Sequence, residues 1–216
     1  MPAISGRPRP DLGRLLMLLA VTGLLLLDLA GLVRGSGHAG TAVLRWLGTG
    51  LVCVFYTLII WCYLRRGPAI ATSRSISAHA AAVTATWAPF VLPLLRGAPP
   101  GAGRAGIADL LLVSGTAWSL WSLRFLGRNL SVIAQAREVV DRGPYRFVRH
   151  PLYAGEMVSA LGIAVAAGSV MAVVCWLGIS GLQVYRALRE EQVLLESLPG
   201  YHGYRNRTAA LLPGVF

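Results

Sequence analysis

Between Glu156 and Arg186 the chain runs for 29 residues without a charge. As a single α-helix that stretch would be about 43 Å long. This exceeds one untilted crossing of a hydrocarbon core of about 30 Å, yet falls short of two full spans and a loop. Gly168-Ser169 lies near its centre and offers a break. Four other apolar runs precede it. Leu15–Val33 is interrupted by Asp28, and Trp46–Leu64 follows. His79–Leu95 carries Pro89 and Pro93 and is expected to kink, and Ile107–Leu123 has Trp118 and Trp121 near an interface. With 55% apolar and 13% charged residues and a mean hydropathy of +0.60, a compact soluble domain and a disordered chain are both excluded. The expected class is an all-α integral membrane protein: four transmembrane helices, then a C-terminal transmembrane helical hairpin.

Arginine placement supports the hairpin. All 20 basic residues are Arg and none is Lys, which excludes Schiff-base lysine chemistry. The net charge of +11 would suit a nucleic-acid binder, but these arginines sit between apolar runs, where flanking charge sets membrane orientation. Nucleic acid is therefore not an expected partner. A hairpin puts sixteen arginines on one side and leaves Arg34, Arg45, Arg96 and Arg104 on the other; a single span gives twelve against eight. The positive-inside rule prefers the hairpin, with both termini cytoplasmic in a multi-pass protein of the cell's inner membrane. Arg7, Arg9 and Arg14 resemble the basic flank of a signal peptide, but the length of the first run and the spans behind it favour a retained helix. Residues 1–14 read as a flexible cytoplasmic leader, 15–126 as a four-helix membrane region, and 127–216 as the C-terminal region that carries the chemistry. Pro99-Pro100-Gly101 marks a short external loop.

Metal and disulfide chemistry find no pattern. Cys53, Cys62 and Cys175 lie in apolar stretches without a CxxC, and the four histidines form no HExxH. Gly48-Thr49-Gly50 is an isolated GxG inside a membrane helix, not a dinucleotide loop.

A hairpin turning at Gly168-Ser169 brings two distant polar clusters together. Pro151 and Arg186 lie about 17 residues down opposite arms, and Glu190 and Glu191 project only about 6 Å further. Gly143, Pro144, Tyr145, Arg146, Arg149, His150, Pro151 and Tyr153 thus meet Glu190 and Glu191 at the cytoplasmic interface. Pro151 suits a first helical turn, whose free N–H groups favour an anion, with Arg146, Arg149 and His150 adding charge. The glutamates can accept ribose hydroxyls or stabilise a cation, and Tyr145 and Tyr153 can stack on a flat ring or face a sulfonium. Such a set suits a nucleoside carrying an amino acid. Taken singly, each feature has a plainer reading: Arg146 and Arg149 as positive-inside anchors, Glu190 as an i,i+4 partner of Arg186, Tyr201 and Tyr204 as interfacial belt residues.

The run GPYRFVRHPLYAG, then RALREEQVLLE, then YHGYRNRTAALLPGVF resembles the isoprenylcysteine carboxyl methyltransferase and phospholipid methyltransferase superfamily. Its pattern is RHPxY, an apolar hairpin, a Glu-Glu pair and a YxxY segment ending near a Pro. This chain has His150, Pro151, Tyr153, Glu190, Glu191, Tyr201, Tyr204 and Pro213 at those places. The resemblance covers about residues 127–216 and implies S-adenosyl-L-methionine as cofactor, with the other helices building a lipid-side substrate tunnel. On that resemblance Arg149 and His150 are expected at the cofactor's carboxylate end. Glu190 and Glu191 would be at its ribose or orienting the site, Tyr145 and Tyr153 along its adenosine, and Tyr204 nearby. Arg149, Glu156 and Glu191 are the expected catalytic residues. Glu156 departs from relatives that carry an aromatic or apolar residue there; it would orient or deprotonate the acceptor, or be a helix-end charge. The acceptor is expected to be lipophilic or lipid-linked: a prenylcysteine-like carboxylate, a lipid amine or a thiol. The rivals are an NADPH-dependent membrane reductase of the sterol type and a non-enzymatic membrane protein.

Overall fold

The computed structural model describes residues 17–26, 42–65, 71–73, 75–97, 100–132, 135–136 and 138–211. The leader 1–14, Asp28, Pro99 and Pro213 lie outside them. Within these residues the α-helices are, in order, α1 Met17–Leu26, α2 Ala42–Arg65, α3 Ile76–Trp87, α4 Ala102–Leu126, α5 Pro151–Ala167, α6 Val170–Ser197 and α7 Tyr201–Arg205. Among the described residues, the regular structure that is not helical is a two-residue antiparallel pair, β1 Ala71–Thr72 with β2 Gln135–Ala136.

Among the described residues, three helical stretches are long and apolar enough to cross a membrane: Trp46–Arg65, Ala102–Asn129 and Val170–Ser197. Their outer faces leave Val54, Trp61, Leu110, Val170, Val174 and Leu177 exposed, as suits a lipid contact and not water. The run with two prolines is divided. The α-helix stops at Trp87, and Ala88–Leu94 continues as a 3₁₀ helix containing Pro89 and Pro93. A proline ring obstructs the preceding turn and removes a donor, so the chain takes up the tighter helix there.

The long uncharged stretch breaks at Gly168-Ser169. Gly168 ends α5 at φ +66°, a left-handed conformation that suits glycine, and the Ser169 side chain accepts from Ala172 N at 3.0 Å to begin α6. The turn is pinned to the end of the third apolar run: Ser169 Oγ donates to Leu95 O at 2.6 Å, and Gly97 N to Ala167 O at 2.8 Å. α6 returns antiparallel to α5, with Trp176 Nε1 donating to Met157 O at 2.9 Å and Gln183 Nε2 to Glu156 Oε2 at 2.7 Å. At about 42 Å against about 26 Å, α6 outruns α5, so its last turns stand beside the segment before Pro151.

α4 packs most closely on α5. One buried cluster gathers Leu92, Ala160, Ala164, Ala172 and Ile179 near the turn; a second gathers Cys62, Tyr63, Leu123, Leu130 and Leu152 toward the opposite end. Cys62 is fully buried in that second cluster, Cys53 is buried and Cys175 half-buried.

Candidate active site

The site is built at the far end of α5 and α6 from the Gly168-Ser169 turn. Gly143–Arg146 forms a short 3₁₀ turn, with Gly143 at φ +58°. A side chain at Gly143 would also meet the Phe125 ring, so glycine here serves both the turn and the packing on α4. His150 then precedes α5, and Pro151 occupies its first turn.

The chain after α7 folds back beneath this corner. Arg149 N donates to Ala209 O at 2.8 Å and His150 N to Ala210 O at 2.9 Å, with a parallel bridge between Val148 and Ala209. Backbone pairing thereby holds residues 208–210 against the start of α5.

The two glutamates are divided by this arrangement. Glu191 is buried, and its Oε1 accepts from Arg149 Nε at 2.6 Å and lies 3.2 Å from His150 Nε2; Arg205 Nε lies 3.4 Å from Oε2. Arg149 Nη1 also donates to the carbonyls of Arg205 and Thr208. Glu190 instead reaches a neighbouring cleft, where its Oε2 accepts from Tyr153 OH at 2.6 Å. The Tyr153 ring stacks on His150 at 5.5 Å and 2° between planes, and the Arg186 guanidinium sits 4.6 Å from the Tyr153 ring centre.

That cleft is lined by Tyr145, Arg149, His150, Tyr153, Glu190 and Tyr204 from the expected set. Tyr201, Leu126, Asn129, Leu130, Ser131, Glu138, Val139, Val140, Leu152 and Leu194 complete it. Asn129 Nδ2 donates to Glu138 Oε1 at 3.1 Å, adding a second carboxylate that the motif spacing did not single out. Burial pushes the phenols of Tyr145, Tyr201 and Tyr204 up, so all three are neutral donors at ordinary pH. Tyr204 OH donates to Tyr145 O at 2.7 Å, tying α7 to the 3₁₀ turn.

Arg146 takes no part in the cleft: it is exposed, with its guanidinium 4.4 Å from the Phe147 ring centre. Gly143, Pro144 and Pro151 shape the backbone behind the cleft, and Glu191 lies outside its lining. Glu156, one turn beyond Tyr153, lines a second and more apolar cavity between α1, α2, α3, α4, α5 and α6. The two cavities share Leu130, Ser131 and Leu152 as a common wall.

Residues 104–198, just under half of the chain, match the phospholipid methyltransferase family model. The matching segment is thus similar to a family that belongs to the isoprenylcysteine/phospholipid methyltransferase superfamily. The match spans α4, the segment before α5, and both arms of the α5–α6 turn, and so carries His150, Tyr153, Glu190 and Glu191. It ends before Tyr201 and Tyr204. The match, together with three apolar helices among the described residues, points to a membrane methyltransferase. No curated protein matches the chain.

Members of this family generally use S-adenosylmethionine, and the chemistry of the cleft fits that molecule. It offers Arg149 and His150 toward an anion, the carboxylates of Glu190 and Glu138 for hydroxyl groups, and four tyrosines for a flat ring or a sulfonium.

Proposed function

We propose that the chain is an S-adenosylmethionine-dependent methyltransferase embedded in the cell's inner membrane, acting on a hydrophobic acceptor. The observation that carries this reading is the shared wall of Leu130, Ser131 and Leu152 between a polar, tyrosine-lined cleft and an apolar chamber. A polar cofactor and an apolar acceptor can meet there without either leaving its own environment.

In this reading the cofactor, when bound, supplies an electrophilic methyl group on a sulfonium. The protein's own work is to position and to exclude water. Glu190, oriented by the Tyr153 hydroxyl, accepts hydroxyl groups of the bound nucleoside, while Tyr145 and Tyr153 line its base. Arg149 and His150 face the amino-acid end, and their contacts to Glu191 fix both side chains. Glu156 faces the acceptor.

The test is binding of S-adenosylhomocysteine to the full chain in nanodiscs, read by thermal shift and calorimetry, with NADPH as the competing cofactor. Saturable stabilisation by S-adenosylhomocysteine alone is expected, and stabilisation by NADPH alone would assign a reductase. Glu190→Gln and His150→Ala should each weaken binding by about 10- to 150-fold, the cost of one hydrogen bond to a charged group. Unchanged affinity in both would take these residues away from the cofactor.

Both arms of the α5–α6 hairpin cross the membrane in this proposal, with the termini and the cleft cytoplasmic. The arginine distribution and the turn at Gly168 support it. Single cysteines placed at residues 10 and 207 should both react with an impermeant maleimide from the cytoplasmic side. Labelling of the two from opposite sides would defeat it.

A further inference from the structure

The Gly143–Arg146 turn has two faces, and the inner one serves the cofactor cleft. Pro144 and Tyr145 are buried, and Tyr145 lines the cleft. Arg142, Arg146 and Phe147 are exposed on the outside. The turn is anchored on α4, because Gly143 lies against the Phe125 ring. A 3₁₀ helix rises about 2 Å per residue, so Phe147 stands only about 8 Å along the turn from that anchor.

The end of α4 presents the same combination of rings and cations. Trp118, Trp121 and Phe125 are exposed and form an edge-to-face chain, with ring centres 5.2 and 6.4 Å apart. Arg124 and Arg128 stand exposed beside them. This helix is long and apolar enough to cross a membrane, so its last turns fall at headgroup depth, where aromatic rings and arginines gather.

Charge decides what the outer surface can take. Among the described residues, no carboxylate pairs with Arg124, Arg128, Arg142 or Arg146. Glu138 lines the cleft and bonds Asn129, which leaves Asp141 as the exposed acid beside these four cations. The Phe147 ring takes one face of the Arg146 guanidinium at 4.4 Å and leaves its N–H edge for an oxygen anion. The rings suit acyl chains and the arginines suit phosphate. A phospholipid of net negative charge supplies both at this depth.

We propose that this outer surface docks an anionic membrane phospholipid, with its phosphate on Arg142 and Arg146 and its upper acyl chain against Phe125 and Phe147. The lipid fixes the turn from outside, while the Tyr204 hydroxyl fixes it from inside by donating to Tyr145 O at 2.7 Å. Cofactor affinity is thereby tied to the lipid around the protein. A zwitterionic lipid carries the same phosphate, but its ammonium offsets the pull of the arginines and it docks more weakly. The docking surface stands apart from the methyltransferase reading; its effect on cofactor affinity rests on that reading.

Retention of phosphatidylglycerol and of phosphatidylcholine with the same acyl chains is measured on the full chain by native mass spectrometry. Arg142→Gln/Arg146→Gln is compared with wild type and with Arg96→Gln, an exposed arginine at the other end of the fold. One arginine at an anionic surface contributes about fivefold, so the double variant should lose about 30-fold in phosphatidylglycerol affinity. Arg96→Gln should lose none. The amides of Tyr145, Phe147 and Val148 donate to Arg142 O and Pro144 O, so their hydrogen exchange reports the turn. It should slow in phosphatidylglycerol nanodiscs for wild type and Arg96→Gln, and not for the double variant. S-adenosylhomocysteine should bind wild type about threefold more tightly in those discs, as the competent population rises from about a third. Equal retention of the two lipids, an undiminished preference in the double variant, an equal loss in Arg96→Gln, or turn exchange that ignores the lipid would each overturn the proposal. S-adenosylhomocysteine binding of one strength in both lipids would overturn the coupling. Lipid preference and turn protection with no S-adenosylhomocysteine binding at all would keep the docking surface and remove the methyltransferase reading.

Discussion

Arg149→Met is expected to abolish S-adenosylhomocysteine binding and to lower stability by about 1.5–3 kcal/mol, the cost of a lost hydrogen bond between charged groups. The side chains of Arg149 and Glu191 are only 10% and 6% exposed, so solvent cannot take over the lost contact. Arg149 is also the clasp of the C-terminal segment, because Nη1 reaches the carbonyls of Arg205 and Thr208 while Nε holds Glu191. His150 leans on the same carboxylate oxygen. With Arg149 gone, Glu191 keeps His150 and the half-exposed Arg205, and the pairing of residues 149–150 with 209–210 loses its side-chain support. Tyr201 and Tyr204, which line the cleft from α7, should loosen with it. Thermal unfolding and limited proteolysis after residue 198 read the two effects separately. Wild-type stability together with wild-type binding would show that the cluster carries neither the tail nor the cofactor.

The same cluster shows which parts of the site were legible beforehand. The meeting of His150 and Tyr153 with Glu190 and Glu191 follows from a turn at Gly168-Ser169, and the turn is legible because a 29-residue uncharged run cannot stay one untilted span. The separate duties of the two glutamates are not legible. Adjacent residues on a helix point about 100° apart, so one faces the cleft and the other the folded-back tail, and nothing in the sequence says which. The tail itself is held by backbone bonds from Arg149 and His150, which leave no side-chain signature. The plainer alternative, Glu190 as an i,i+4 partner of Arg186, is not what forms among the described residues: Arg186 bonds to Ser131 and Thr86, with its face on Tyr153. Those partners sit 55 and 100 residues away in the chain, beyond the reach of i,i+4 reasoning. Glu138 and Asn129 reach the cleft from the connection between α4 and α5, where no periodicity marks them.

Gly155→Val is expected to be the most damaging apolar substitution in the membrane region, although it touches no charged group. A Cβ at Gly155 would stand 2.8 Å from Gly115 O and 2.9 Å from Ser119 N; one at Gly115 would stand 2.7 Å from Gly155 O. One at Gly162 would meet Ala108 O at 2.7 Å and Leu112 N at 2.8 Å. These neighbours are backbone atoms of the facing helix, so no rotamer change relieves the overlap and α4 must move away from α5. Overpacking of this kind costs about 1–3 kcal/mol or more. The damage should reach the site, because α4 carries Phe125 against Gly143 and Leu126 into the cleft, while α5 begins at His150 and Tyr153. Prying the helices apart therefore widens the cleft from its base, and both melting temperature and S-adenosylhomocysteine affinity should fall together. Gly178 and Gly181 on α6 supply the control. A Cβ at either meets nothing within 4 Å, so alanine there should be neutral or stabilise the helix by up to about 1 kcal/mol. If Gly155→Val melts like Gly178→Ala, the α4–α5 seam is not the rigid frame that holds the cleft. A fall in affinity at Gly155 without a fall in melting temperature would place the seam's role in the geometry of the cleft and not in the stability of the fold.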